Sequence, residues 1–493
     1  MFLLVSIFVI QILHLSLWGW SMRIFGGWSG ALWRTGFGLA AFCLFCPSQW
    51  ENLTWGFQTC FVLPGLLATL SFVGLLLYWV HSGQSSGGWA SWKYLLLSVA
   101  AALGATYSLS NGNLVWPLLL AGALLLRLRR VAVLSLAITG AASTALYLNG
   151  YTRSSSIDLS LGVLVTLFKY VAAYFGSSFV QTTNDVFHLP PSSIRYAELI
   201  GIIGLMVAFW LLLRMPSYVR SHSPFRVQLV LMLLFCVGTG VVTAVGRYFL
   251  GVGQAFASRY QTVALLFWCC IALLLLAEYL SSPHTTQNVA LLRSQVILLL
   301  IMLVTAPLSQ SPLNRARLRG FQRNAAAMAL ITGVPDMEQL RWADYHPENV
   351  LSLVPYLRQE RLSAFGEPIS SLLGKPLDSM FNLTSPNECK GELESATVVA
   401  SAWPRSLRIT GWAWDSKHRR PPPEIAIATY SVIIGLGAVG DWHPMNKAAN
   451  PWMTTNFIGY TGYVQNVEQS SPMEIYAILR GSPASACLIA TAK

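Results

Sequence analysis

Apolar runs long enough to cross a bilayer dominate the N-terminal part of the chain. A hydrocarbon core about 30 Å thick requires about 20 apolar residues in a helix. Ten such runs occur, at 2–20, 31–47, 60–80, 94–109, 113–126, 131–148, 197–213, 227–246, 262–280 and 292–308. The first run lacks the basic start and the cleavage site of a signal peptide, so it is also predicted to be a span.

A further run, 161–180, is ambiguous because it contains Lys169 and three aromatic residues between polar segments. Arginine-rich loops usually face the cytoplasm, and the richest loops here are 127–130 and 214–226. Both face the cytoplasm only if 149–196 stays outside as a whole. The run is therefore predicted to lie in the interface, to re-enter, or to cross twice as a hairpin. The other ten runs are then the spans, and both ends of the transmembrane domain lie outside the cytoplasm.

The pattern changes after residue 308. The region 309–386 is more polar and predicts a helical connector, whereas 387–493 consists of short alternating runs separated by turn residues. These runs are 397–402, 406–414, 424–430, 432–436, 457–464, 474–479 and 487–490. Regular short strands of this kind favour an antiparallel β-sandwich. The predicted organisation is a transmembrane domain (1–308), a small helical region (309–386) and a β-sandwich domain (387–493).

Two pairs of residues in the C-terminal region call for interpretation. Cys389 and Cys487 flank the predicted sandwich, and a disulfide between them is expected if the compartment is oxidising. Trp412 and Trp414 share one face of a strand, where core packing is favoured over a sugar-binding platform.

Composition and charge agree with a membrane protein. The chain is 54% hydrophobic and only 11% charged, whereas soluble proteins have about a quarter charged residues. Five acidic and fifteen basic residues precede residue 309. This excess of arginine is typical of cytoplasmic loops and does not indicate nucleic-acid binding.

The predicted topology puts four unusual loops on one face, at 48–58, 109–112, 149–196 and 247–260. They are rich in Trp, Asn, Gln, Arg and carboxylates, as expected for the mouth of a binding site. Asn111-Gly112 is predicted to supply a positive φ in a tight turn. The competing interpretation is an aromatic belt with arginines that reach the headgroups. The candidate substrate-binding residues are Trp50, Asn52, Trp55, Gln58, Asn111, Trp116, Gln254 and Tyr260.

Three segments carry a resemblance to a known family: 49–58 (QWENLTWGFQ), 110–117 (SNGNLVWP) and 246–260 (GRYFLGVGQAFASRY). They resemble a family of large bacterial polytopic proteins whose membrane part is similar to GT-C glycosyltransferases. The similarity extends over most of the chain and includes Gly-Trp-Ala-Trp-Asp at 411–415.

The resemblance implies an envelope enzyme in the bacterial cytoplasmic membrane that takes a sugar from a polyprenyl-phosphate donor. The acceptor would be an envelope glycan or protein. Glu51 or Asp185 would supply the carboxylate, as a base or as the ligand of a divalent cation, and Arg247 or Arg259 would bind the donor phosphate. No metal site is predicted from the residues themselves.

This chain departs from the GT-C pattern in its first outer loop, where such enzymes carry a key acidic residue. Residues 1–50 contain no Asp or Glu. Three explanations remain open: a missing N-terminal helix and loop, a relative without catalysis, or Glu51 as the base. The alternative function is therefore a non-catalytic binding or transport partner in envelope glycan assembly.

Overall fold

A computed structural model describes residues 2–82, 88–151, 160–180, 191–281, 297, 312–344, 346–385, 388–400, 406–444, 453, 455–465, 472–480 and 484–492. The chain forms two compact units, Met1–Leu313 and Asn314–Lys493. Each unit has a hydrophobic core of its own.

The N-terminal unit is helical wherever the structure describes a regular element. Its helices are α1 (Phe2–Ile24), α2 (Gly30–Phe45), α3 (Trp50–Thr54), α4 (Thr59–Ser82), α5 (Gly88–Ser108), α6 (Val115–Leu125), α7 (Arg130–Leu148), α8 (Leu161–Gly176), α9 (Pro191–Leu213), α10 (Met215–Arg220), α11 (Pro224–Arg247) and α12 (Gln261–Ser281). Short 3-10 turns connect several of them, at Pro47–Gln49, Gly56–Gln58, Ser110–Leu114, Ser177–Phe179, Tyr248–Leu250, Val252–Phe256 and Ser258–Tyr260.

Seven helical segments in the described residues are long and apolar enough to cross a membrane, so the chain is a membrane-spanning protein. They are Val5–Ile24, Gly56–Ser82, Arg130–Leu148, Leu161–Phe179, Pro191–Arg220, Pro224–Leu250 and Ser258–Tyr279. The predicted number of ten is not confirmed. Helices α2 and α6 are shorter than a span requires, and α5, which contains the run 94–109, is not among the seven. The run 292–308 lies outside the described residues except for Ile297.

The ambiguous run 161–180 contains a single helix, α8, and a 3-10 turn, and it is one of the seven candidate spans. It therefore differs from one of the three predicted alternatives, a hairpin that crosses twice. The α8 helix packs antiparallel against α9 through glycines, because Gly176 lies against the Ala197 carbonyl and Gly201 against the Ala172 carbonyl. Its C-terminal half is buried. The side chain of Lys169 is exposed, so its charge does not enter the helix packing.

The two ends of helices α4 and α12 lie beside segments of different chemistry. Helices α4 and α12 begin just after the segments 47–58 and 248–260. Their other ends meet the basic α9–α11 connection, where Arg214 donates to Glu278 at 2.8 Å and the rings of His222 and Trp79 lie 5.5 Å apart. The two segments that carry candidate site residues thus lie at the opposite end of these helices from the arginine-rich connection.

The turn at 110–114 depends on a glycine, but not for the predicted reason. Gly112 is outside the set of glycines with positive φ. A Cβ atom at Gly112 would lie 1.8 Å from the carbonyl oxygen of Ala105. The glycine therefore permits a close backbone approach, which corrects the predicted positive φ.

The C-terminal unit combines helices with one sheet. Its helices are α13 (Pro312–Thr332), α14 (Met337–Leu340), α15 (Pro347–Gln359) and α16 (Leu377–Met380). Its strands are β1 (Asn382–Leu383), β2 (Cys389–Ala400), β3 (Ser406–Asp415), β4 (Glu424–Thr429), β5 (Val432–Asp441), β6 (Gly459–Gln465), β7 (Met473–Leu479) and β8 (Ser485–Ala492). Phe321 and Leu330 of α13 share one core with Leu436 and Ile478 of the sheet.

The strands form a single sheet in the order β1-β8-β7-β4-β5-β6-β3-β2. All neighbours are antiparallel except β1 and β8, so the sheet is mixed. The sheet curls until Gly391 on β2 lies against Ile489 on β8. A disulfide joins Cys389 of β2 to Cys487 of β8, with their Cα atoms 6.2 Å apart. The predicted two-sheet sandwich is not confirmed.

Candidate functional site

The segments 47–58 and 248–260 are locked together by hydrogen bonds between residues more than two hundred positions apart in the chain. The hydroxyl of Ser258 donates to the carbonyl of Ser48 at 2.8 Å and accepts from the backbone N–H of Glu51 at 3.2 Å. The backbone N–H of Arg259 donates to Glu51 Oε2 at 3.1 Å. We call this pair of segments the clasp.

A second layer of side chains extends the clasp into the helices. Asn52 donates to the carbonyl of Arg259 at 2.9 Å and to the hydroxyl of Thr262 at 2.7 Å. Thr262 in turn donates to Gln49 Oε1, and Gln49 Nε2 donates to the carbonyl of Leu44 at 2.7 Å. Buried polar networks of this kind fix one backbone arrangement. The network therefore ties the clasp to the start of α12 and to the end of α2.

Glu51 is the central residue of the clasp, and its side chain is buried with a 2% exposed fraction. One carboxylate oxygen accepts from the Arg259 backbone, and the negative charge acts on the Arg259 guanidinium. A carboxylate held in this way can orient a cation and can accept a proton. It is also a structural link between two distant segments.

The two candidate phosphate-binding arginines both lie near Tyr170. Arg247 is exposed at the end of α11, and Arg259 is half-buried. The guanidinium of Arg259 lies 5.3 Å from the centre of the Tyr260 ring. Both arginines are close enough to Tyr170 for their charges to act on its hydroxyl. Two cations near a single hydroxyl form a favourable environment for a phosphate group.

The aromatic candidates fall into two groups. Trp55 is 39% exposed and lies 5.6 Å from Phe57, which is 64% exposed, so this pair forms an accessible aromatic surface. Trp50 is half-buried. Tyr260 is buried, and its ring lies 5.4 Å from that of Tyr174, so it belongs to the wall behind Arg259.

The structure places the other predicted substrate-binding residues inside the helix packing. Gln58 and Gln254 are buried. Asn111 donates to Thr239 at 3.3 Å, and the Trp116 indole donates to Thr106 at 2.9 Å. The observed contacts of Asn111 and Trp116 thus connect helices.

Two further expectations concern a metal or a second carboxylate. Asp185 lies outside the described residues. In the part of the chain that the structure describes, no group of three or more His, Cys, Asp or Glu side chains could hold a metal ion.

Gln49, Ser258 and Thr262 carry much of the clasp, and sequence reasoning missed them. Gln49 and Ser258 stand within the segments 49–58 and 246–260, and Thr262 follows closely. Their roles become visible only when the two segments meet in the fold.

In the C-terminal unit, the paired tryptophans behave differently. Trp414 is fully buried in a cluster with Met453 and Ile458, in agreement with core packing. Trp412 is partly buried, with its ring 6.3 Å from that of His443.

The C-terminal unit also contains a cleft of about 810 Å³ between α13 and the sheet, lined by apolar residues such as Met328 and Phe381. Glu367 and Glu424 lie in its wall. Burial raises the pKa of Glu424, Arg480 opposes this change, and the negative charge of Glu367 adds to it.

Comparison with protein-family models, with curated proteins and with solved structures gave no match. The geometry of the clasp and the class of membrane-spanning protein are therefore the basis for assigning a function.

Proposed function

We propose that the chain is an envelope glycosyltransferase-like membrane protein that takes a sugar from a polyprenyl-phosphate donor. In this proposal the clasp faces the outer side of a bacterial cytoplasmic membrane, and the C-terminal unit is extracytoplasmic. The partners are the lipid bilayer, the lipid-linked donor and an envelope glycan or protein acceptor.

The observation that carries the proposal is the hydrogen bond from the Arg259 backbone N–H to the Glu51 carboxylate, whose charge also acts on the Arg259 guanidinium. A sugar phosphate needs cations for its phosphate and a carboxylate near the transferred sugar. The clasp brings these chemistries together from positions 208 residues apart. Trp55 and Phe57 add an exposed aromatic surface suited to a sugar ring or an isoprenoid.

The phosphate-binding role can be measured with polyprenyl monophosphate as the probe and the full-length protein in lipid nanodiscs. Arg247→Gln and Arg259→Gln each remove one cation. A hydrogen bond to a charged group contributes about 1.5–3 kcal/mol, so each variant should bind the probe about 10- to 100-fold more weakly.

Two controls separate phosphate capture from general effects. Arg214→Gln removes a charge at the opposite end of the helices and should leave probe binding unchanged. Uncharged polyprenol should bind the wild type and both arginine variants, Arg247→Gln and Arg259→Gln, alike. Equal binding of the phosphate by all four proteins would contradict the proposal.

Catalysis is tested by Glu51→Gln, because glutamine keeps an oxygen that can accept from the Arg259 N–H. If Glu51 is the base, sugar transfer in envelope glycan profiles should fall about 100-fold or more, at unchanged protein level and probe binding. Unchanged glycans would exclude this catalytic role.

One observation favours the alternative of a non-catalytic binding partner. Glu51 is buried and already accepts a backbone hydrogen bond, as a structural carboxylate would. In that case Glu51→Gln retains probe binding and glycan profiles, whereas Arg259→Gln still weakens binding of the phosphate.

A further inference from the structure

Helix α1 carries a polar stripe on the side that faces the protein interior. Gln11, His14, Trp18 and Ser21 follow one another at spacings of three, four and three residues, which places them on one face of a helix. All four are buried, with exposed fractions of 0%, 1%, 1% and 0%. The opposite side of α1 is exposed and apolar, for example at Val5, Ile12 and Leu13.

Each residue of the stripe keeps one polar atom without a hydrogen-bond partner among the described residues. These atoms are Gln11 Oε1, His14 Nδ1, Trp18 Nε1 and Ser21 Oγ. An unsatisfied buried polar group costs about 1–3 kcal/mol. Four of them on one helix would take a large part of the 5–15 kcal/mol or so that stabilises a typical protein.

Helix–helix adhesion alone does not account for the stripe. His14 Nε2 lies 2.8 Å from the Thr69 hydroxyl, and Gln11 Nε2 donates to the carbonyl of Leu44 at 3.0 Å. These contacts use only one polar atom of each side chain. Gly65 of α4 lies beside His14, and even an added Cβ there would be 3.4 Å from the His14 ring. Helix α4 therefore contributes no side chain at this point, and the nearest other side chain, Leu266, would lie 3.7 Å from that Cβ.

The stripe begins next to the clasp. The Leu44 carbonyl that accepts from Gln11 also accepts from Gln49, which belongs to the second layer of the clasp. From Gln11 to Ser21 the helix rises about 15 Å, at about 1.5 Å per residue. The unpartnered atoms thus extend from the clasp into the interior of the membrane-spanning unit.

We propose that the stripe binds a file of water molecules inside the membrane-spanning unit. Glutamine oxygen accepts, the indole N–H donates, and the serine hydroxyl and imidazole can each complete either role. Such a mixture matches water, which satisfies two to four buried polar groups at a time. The file connects the polar network of Gln49 with Ser21. This inference is independent of the proposed function.

Hydroxyl-radical footprinting by X-ray radiolysis tests the proposal on the wild-type protein in nanodiscs, because bound water generates radicals where it sits. Trp116 and Trp268 are matched controls: both are 5% exposed, and their indole N–H groups donate within the protein at 2.9 and 2.8 Å. Trp18 is more deeply buried. Its oxidation should nevertheless be at least about fivefold faster than that of either control.

A second comparison uses two serines of α1. Ser21→Ala removes a proposed water partner and should slow Trp18 oxidation at least about twofold. Ser16→Ala alters an exposed serine whose hydroxyl donates to the Ile12 carbonyl at 2.8 Å, and it should change nothing. If Trp18 in the wild type is no more reactive than Trp116 and Trp268, the stripe is dry and the proposal fails, whatever the variants do.

Discussion

At Arg408 one side chain ties the helical and β parts of the C-terminal unit together. Its guanidinium donates to both oxygens of Asp336, at 2.6 and 2.7 Å, and to Glu338 at 3.0 Å. The Tyr463 hydroxyl donates to Asp336 at 3.0 Å. Burial lowers the pKa of Arg408, but the hydrogen bonds to Asp336 and Glu338 outweigh it and raise that pKa. The guanidinium stays charged.

The two carboxylates differ in burial, which allows a direct comparison. The side chain of Asp336 is 3% exposed and that of Glu338 is 81% exposed. Arg408→Ala leaves the buried Asp336 charge without its cation and should destabilise the unit by about 3 kcal/mol. Glu338→Ala should cost less than about 1 kcal/mol. Hydrogen-exchange mass spectrometry of strand β6 in the full-length protein measures both losses of stability. Equal losses would contradict the larger contribution expected from the pair of Arg408 with the buried Asp336.

Glu424 gives a prediction for pH dependence. Its pKa is raised in the folded state, mainly by burial, so the folded chain retains a proton that the unfolded chain has released. Stability therefore falls as the pH rises above the usual value of about 4.5 and through the raised pKa. Glu424→Gln should therefore stabilise the folded state at pH 7 by less than about 1 kcal/mol, which is measured as slower hydrogen exchange in β4. The gain should disappear below about pH 4. If Glu424→Gln stabilised the unit equally at both pH values, the raised pKa of Glu424 would not be the cause.

The candidate site could be predicted only in part from single residues. Glu51 and Arg259 stand out because charge is rare among the apolar runs. Their direct contact depends on the packing of α12 against the segment 47–58, which no local pattern encodes. Gln49 and Thr262 are single polar residues without a spacing signal, and the stripe on α1 was hidden inside a run that reads as an ordinary span.

At the scale of elements, the α8–α9 pair shows how glycine permits close helix packing. A Cβ on Gly176 would lie 1.8 Å from the carbonyl oxygen of Ala197. Side chains cannot relieve that overlap because the opposing atom belongs to the backbone, so the helices would have to separate. Small residues are common at such interfaces in membrane proteins.

Gly176→Ala should therefore destabilise the membrane-spanning unit by about 3 kcal/mol or more. Gly162→Ala is the matched control on the same helix, because its Cβ would meet only the Ser160 hydroxyl, at 3.9 Å. It should be neutral or stabilise by up to about 1 kcal/mol, since alanine favours helix over glycine. Size-exclusion chromatography after graded heating measures the folded fraction of each variant. Similar behaviour of the two variants would contradict the close-contact explanation.

Element type was more predictable than element arrangement. Apolar runs predicted the long helices, and alternation with turn residues predicted most strands of the C-terminal unit. Lys169 and the aromatic residues made the run 161–180 ambiguous, and the arginine-rich loops predicted an interfacial, re-entrant or hairpin segment there. The structure has one helix, with Lys169 exposed and Tyr170 and Tyr174 buried. The strand order and the parallel β1–β8 pair result from long-range pairing, which periodicity does not specify.

At the scale of the whole molecule, the Cys389–Cys487 disulfide connects a structural observation to the compartment of the C-terminal unit. The bridge spans 98 residues and joins β2 to β8 where the curled sheet meets itself. Disulfides persist in oxidising compartments and are rare in the cytoplasm. Its redox state in cells therefore reports whether this unit is extracytoplasmic, as proposed.

Thiol alkylation of the full-length protein, denatured without reductant directly from cells, should leave Cys389 and Cys487 unmodified. Cys60 belongs to the membrane-spanning unit and is a free, half-buried thiol, so it should be alkylated in the same sample.

The double variant Cys389→Ser/Cys487→Ser should lose about 2–4 kcal/mol of stability in the C-terminal unit, because the unfolded chain is no longer constrained by a long loop. Cys60→Ser should leave the stability of the C-terminal unit unchanged. Complete alkylation of Cys389 and Cys487 would place the unit in a reducing compartment. The proposed extracytoplasmic location of the C-terminal unit would then be wrong, while the phosphate-binding test of Arg247 and Arg259 would still stand by itself.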